Sequence, residues 1–143
     1  MFTLPYDSVL VPMDFSEESL GAVATARAAM SEGGVVHVLH VVEMAHLADP
    51  YSVWVDVDDE SRQTAAREEL TRVLQERGIT GVQAQTRLGV PARAIVDYAT
   101  EVGAQLVVLP THGRTGASRW LIGSVAEKVV RLAPCPVLVL RKA

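Results

Sequence analysis

Leu106-Val-Val-Leu-Pro-Thr-His-Gly-Arg-Thr-Gly-Ala-Ser-Arg-Trp-Leu-Ile-Gly-Ser124 contains three kinds of local structure in one run. It leaves an apolar segment of strand length, crosses a glycine-bearing loop and enters a helical pattern near Gly123. Strand, glycine loop and helix in that order form the repeating unit of an open α/β sheet. At such a helix start the backbone N–H groups point outward and the dipole favours negative charge, so phosphate is the natural ligand. Gly113 and Gly123 flank Arg114 and Arg119, and Ser124-Val-Ala-Glu127 reads as a capping box that starts the helix at Ser124. The competing reading is that the glycines serve only the turn and Ser124 caps its helix without any ligand. No Gly-Lys-Ser/Thr closes the loop and no Gly-x-Gly-x-x-Gly follows the first strand. A nucleotide here is therefore held neither by a P-loop nor by the dinucleotide fingerprint.

The same alternation runs outward through the chain. Val9-Leu-Val-Pro-Met13 is a short apolar run ended by Asp14, and Ser16 followed by Glu17 and Glu18 is an N-cap with an acidic first turn. The Ala-rich stretch predicts helix to Met30, stopped by Gly33-Gly34. Val35 to Val42 is a continuous β-branched run, as expected of a strand buried on both faces. A second helix is predicted from Asp59 to Arg77, with Ala66, Leu70, Val73 and Leu74 on one face and Glu68–Arg72 and Arg72–Glu76 pairs on another. Val82 to Leu88 alternates like an edge strand, and Pro91 opens a third helix with Ala92, Ile95, Val96 and Ala99 facing the core. Gln105 to Leu109, Gly123 to Leu132 and Pro136 to Leu140 complete five strands and four helices. That count predicts one α/β domain over residues 1–143, a doubly wound parallel sheet with right-handed crossovers. The segment His46 to Asp59, with Tyr51 and Trp54, is longer than usual for an α/β connection, and reads as a pinned loop or as a lid or subunit contact.

Bulk composition narrows the functional classes. A hydrophobic fraction of 49% and a charged fraction of 21% describe an ordinary globular domain, and a net charge of −4 argues against general nucleic-acid or anionic-membrane binding. No apolar run is long enough to span a bilayer, and the start lacks a signal-peptide pattern, so a cytoplasmic location is expected. Cys135 is the single cysteine, which leaves no disulfide framework or thiolate metal cluster. Flanked by Pro134 and Pro136, it reads as a packed small hydrophobe. His37 and His40, three apart in a strand, point to opposite faces and cannot share one metal.

Several of these segments, in order, resemble the universal stress protein family along essentially the whole chain. They are Val9-Leu-Val-Pro-Met-Asp-Phe-Ser16, Leu39-His-Val41, Thr111-His-Gly-Arg-Thr-Gly116, Gly123-Ser-Val-Ala-Glu127 and Ala133-Pro-Cys-Pro-Val-Leu-Val-Leu140. The resemblance implies a five-stranded sheet in the order 3-2-1-4-5. One branch of that family binds ATP through Gly-x-x-Gly, nine residues, then Gly-Ser or Gly-Thr. Gly113 is the second glycine here, residues 114–122 are the nine, and Gly123-Ser124 closes the motif, but Pro110 stands where the first glycine belongs. Proline has no N–H to donate, which removes one hydrogen bond of about 0.5–1.5 kcal/mol if the family uses it.

By the same resemblance, Pro12, Met13 and Asp14 meet the adenine and Val41 packs on the purine. Leu109, Pro110, His112, Gly113 and Arg114 form the facing turn, and Gly123, Ser124 and Val125 meet phosphate. Asp14 otherwise reads as a helix-starting acid, Arg114 as a solvated surface charge and His112 as a structural hydrogen bonder. Trp120 is expected to cover the loop. The resemblance also implies a homodimer through the last strand, Val137 to Leu140, against the alternative of an edge protected by Arg141 and Lys142. The expected function is that of an ATP-binding regulatory protein in stress response, with Mg²⁺. The alternatives are an interaction module of the same fold that binds no nucleotide, and a slow ATPase.

Overall fold

The computed structural model describes residues 4–44, 58–111 and 123–141. In these residues β1 (Tyr6–Pro12), α1 (Glu17–Ala29), β2 (Met30–Val42), α2 (Asp59–Glu76), β3 (Gln83–Leu88), α3 (Pro91–Glu101), β4 (Leu106–Pro110), α4 (Ser124–Leu132) and β5 (Val137–Leu140) follow one another. Every strand pairs in parallel, in the order β3-β2-β1-β4-β5 expected from the resemblance. The long connection beginning at His46 and the loop with Trp120 lie outside the described residues. No described helix is long and apolar enough to cross a membrane.

The central parts of the inner strands, Val9 to Val11, Val35 to Val42 apart from His37 and His40, and Leu106 to Leu109, are apolar because helices cover both of their faces. Val9 and Val11 meet Val23 and Ala26 of α1 and Leu70 of α2 on one side. Leu10, Leu39 and Val107 meet Ile95 and Ala99 of α3 and Val129 of α4 on the other. Each such leucine or valine stabilises the fold by about 1.5–3 kcal/mol relative to exposure. Among the described residues β3 pairs only with β2, the edge position read for it, and exposes Gln83, Ala84 and Gln85 in succession instead of alternating there.

Local signals act largely as read. Ser16 caps α1 as read, accepting from Ser19 N–H at 3.1 Å, while Asp58, not named as a cap in the sequence, caps α2 by accepting from Ser61 N–H at 2.6 Å. Two details differ. Arg72 bonds Glu76 as expected but takes Glu69, one turn back at i−3, in place of Glu68. The first helix ends at Ala29, and β2 begins at once at Met30, running through the glycine pair that was expected to stop the helix. Tyr6 pairs with Met30, but Ser8 already pairs with Val35, so Gly33 and Gly34 sit in a bulge. A Cβ at Gly34 would stand 3.0 Å from the Asp7 carbonyl oxygen and 3.1 Å from that of Ser31. The glycine is there because a backbone passes over it.

His37, on β2, is 8% exposed, packs edge-on against Tyr98 at 6.2 Å, and leaves Nδ1 without a hydrogen-bond partner among the described residues. Arg87 lies over the other side of this cluster, 5.2 Å from the Tyr98 ring centroid. Burial pushes the His37 ring below its ordinary value of 6.5. The unfolded chain therefore binds this proton more readily than the folded one.

The His37 contribution to stability should be fully present above about pH 6.5 and be lost as the pH falls below it. Urea unfolding from pH 8 to pH 5 checks this: the decline should be smaller in His37→Gln, and an identical decline would contradict it. Gly34→Ala should cost roughly 1–3 kcal/mol, because two backbone carbonyls must move. A variant with the wild-type urea midpoint would show that the bulge yields freely.

Candidate functional site

β1 is followed by α1 on one face of the sheet, and β4 by α4 on the other, so the winding reverses between two adjacent strands. Such a switch point leaves a crevice at the carboxyl ends of the strands. The register describes its shape. β1 stays paired with β2 to Pro12↔Leu39, and β4 with β5 to Pro110↔Leu140. Between β1 and β4 the pairing stops at Leu10↔Val107, although both strands continue.

On the β1 side, Met13 is buried, donates its N–H to Leu39 C=O at 2.7 Å, and offers its carbonyl to His40 Nδ1 at 2.7 Å. A carbonyl can only accept, so His40 carries its hydrogen on Nδ1. Of the backbone groups expected to meet a base, the Met13 N–H is thus already engaged. Asp14 is exposed, and its Oδ1 accepts from Ser16 N–H at 3.0 Å and from the Ser16 hydroxyl at 2.5 Å. Between them Phe15 adopts φ +67° and sets its ring 4.5 Å from that of His40. A left-handed phenylalanine costs about 1–3 kcal/mol, so the turn is held by the contacts around it. His40, like His37, reads in the sequence as a core or near-core residue. It is half-buried and clamps the Met13 carbonyl at the turn. Its position near the end of a strand facing the Asp14 turn was the only signal in the sequence.

On the β4 side, Leu109 and Pro110 are buried, and Thr111 sends both its N–H and its hydroxyl to the Leu140 carbonyl, at 2.9 and 3.1 Å. Val41 is half-buried and packs against the cluster beneath α3 and α4, on the same face as Leu109. His112, Gly113 and Arg114 lie outside the described residues.

The start of α4 differs from the capping box read in the sequence. Gly123 is the N-cap, at φ +92° and ψ 147°, and no side chain caps the helix. Ser124 is the first helical residue, one position too late for its hydroxyl to fold back as a cap, and it is exposed. The first helical bond runs from Glu127 N–H to Gly123 C=O at 2.9 Å. The Glu127 carboxylate turns to Arg131 at 2.9 Å. The amides of Ser124, Val125 and Ala126 precede that first bond, and no side chain among the described residues caps them. Among the described residues no group of three or more His, Cys, Asp or Glu side chains is arranged to hold a metal ion. Cys135 is half-buried against the α3–α4 cluster, and burial pushes its thiol up, which fits its reading as a packed small hydrophobe.

Comparison with known proteins agrees with this architecture. Residues 5–141 match the Universal stress protein family. Universal stress protein MJ0531 of Methanocaldococcus jannaschii is 35% identical over 141 residues, covering 96% of this chain and 83% of its own. The solved universal stress protein UspA from Lactobacillus plantarum superposes with a TM-score of 0.72 at 26% identity, covering 97% of this chain and all of that one (100%). A universal stress protein solved in complex with cAMP superposes with a TM-score of 0.64 at 26% identity, covering 95% and 97% of the two chains. The match over nearly the whole chain, on a sheet of the same order, means that the chain belongs to the universal stress protein family.

Proposed function

We propose that the chain is a cytoplasmic, nucleotide-binding regulatory protein of stress response that takes ATP with Mg²⁺ at the β1–β4 crevice and acts as a homodimer. The observation that carries this reading is the uncapped start of α4 at the crevice where β1 and β4 part. A phosphate group would take the place of the cap, and no described residue lies within 4 Å of where a Cβ on Gly123 would stand. The cAMP complex of a structural relative supports a nucleotide in this fold. Asp14, Val41 and Leu109 stand at the carboxyl ends of their strands, where a base and ribose would lie, with Pro12, Met13 and Pro110 beneath. His112, Gly113, Arg114, Ser124 and Val125 are assigned to the phosphate side.

Binding, rather than turnover, is the role that suits the side chains. The Asp14 carboxylate is engaged by Ser16 within its own turn, which is a structural use of a carboxylate and not the free base that water activation needs. Dimer formation would use β5, which among the described residues pairs only with β4 and leaves Leu138 exposed beside an apolar groove lined by Leu4, Tyr6, Thr25 and Ala29. Pairing two such edges would satisfy the open backbone groups that otherwise invite aggregation.

Calorimetric titration of nucleotide-free protein with ATP and Mg²⁺ should give micromolar or tighter binding. Gly113→Val should weaken it by about tenfold or more, a loss near 1.4 kcal/mol. Absence of binding into the millimolar range would leave an interaction module of the same fold. Sedimentation equilibrium should return twice the chain mass, and Leu138→Arg should return a folded monomer; a wild-type monomer would sink the dimer.

A further inference from the structure

The seam between β1 and β4 ends where two imino nitrogens meet. Met13 N–H donates to Leu39 C=O, so residues 11 and 13 of the first strand face β2 and, by alternation, residues 10 and 12 face β4. Val107 N–H donates to Pro136 C=O, and Thr111 N–H to Leu140 C=O. Residues 107, 109 and 111 therefore face β5, and residues 108 and 110 face β1. With Leu10 opposite Val107, the next rung would run from the N–H of residue 12 to the Val108 carbonyl. The rung after it would run from the N–H of residue 110 to the Pro12 carbonyl. Residues 12 and 110 are both proline, and neither has an N–H. The observed pairing stops at the first rung whose donor is missing.

Proline is ordinarily kept out of central strands because it breaks a ladder on one side. Here two central strands each carry one, and both imino nitrogens are turned toward the same gap. We propose that Pro12 and Pro110 are a matched ladder-stop that holds the switch-point crevice open. They leave the Val108 and Pro12 carbonyls facing that gap as acceptors for hydroxyl or amino groups of a ligand. A continued ladder would hold the strands about 4.8 Å apart, which admits no ring between them. Pro110 is then part of the architecture of the pocket and not simply a lost donor. The opening of the seam follows from the hydrogen-bond pattern alone, whereas its use by a ligand rests on the nucleotide reading above.

Pro12→Val, Pro110→Val and the double variant each restore one or both donors with a residue suited to a strand. Amide hydrogen exchange, measured by NMR on the ligand-free proteins, should show residues 12 and 110 slowed by about a hundredfold or more relative to an open chain. The double variant should also unfold at higher urea than wild type and bind ATP with Mg²⁺ about tenfold or more weakly. A folded variant whose new amides exchange at the open-chain rate would overturn the ladder-stop. Protected amides with unchanged ATP affinity would overturn the role of the gap in binding. Failure of the wild type to bind ATP would remove the nucleotide reading, while the exchange result would still decide what the prolines do. Should the double variant not fold, each single variant carries the same exchange test for its own rung.

Discussion

The pairing of β1 with β4 is the constraint on which the rest of the molecule depends. These strands carry the heart of both cores: Val9 and Val11 with Val108 on one face, Leu10 with Val107 and Leu109 on the other. Because each strand is followed by its helix on opposite faces, the chain can cover both sides of the sheet only by reversing its winding at this seam. The seam therefore has to be tight at its base, where Val9 meets Leu106 and Leu10 meets Val107. Above that point the two connections diverge, and the strands are released. One junction supplies both the cohesion of the fold and the cleft.

Much of this was legible because covering a sheet on both faces imposes continuous apolar runs, and those runs survive in the sequence as Val35 to Val42 and Leu106 to Leu109. Caps were legible where a short polar side chain precedes a helix, as at Ser16. The misses share a cause, which is that they depend on where the backbone goes rather than on residue type. Gly33-Gly34 looks like a helix stop, yet the helix ends without it, and Gly34 is required by the Asp7 carbonyl across the sheet. Ser124 satisfies the capping-box spacing, but Gly123, at a positive φ, takes the cap position and shifts the serine into the helix. His40 is half-buried, as its near-core reading allows, but periodicity cannot say that its ring nitrogen will reach a carbonyl from a different strand.

The candidate site was legible in outline and not in mechanism. The sheet order implied by the resemblance placed Asp14 and the turn beginning at Pro110 at one end of the sheet, and β1 and β4 are neighbours in the fold. What spacing could not convey is which backbone groups are already spent. Met13 has given its N–H to β2 and its carbonyl to His40, whereas the first amides of α4 come before any helical bond and have no side-chain cap. Among the described residues polarity at this end of the sheet is therefore asymmetric: the β1 turn is satisfied within itself, and the first amides of α4 have no side-chain cap.

That asymmetry also explains why strain is tolerated at Phe15. The residue sits at φ +67° between an aspartate tied to Ser16 and a methionine tied to Leu39 and His40, with its own ring against the imidazole. A loop free to relax would not keep a phenylalanine in that conformation. Holding it fixes the path of the chain from β1 into α1, and so fixes the wall of the crevice opposite β4. The bonds around Asp14 and Met13 hold that wall in place. The strained turn and the released seam are thus two halves of one arrangement. The chain is locked at the turn that follows β1, and beside it the β1–β4 ladder is left unzipped.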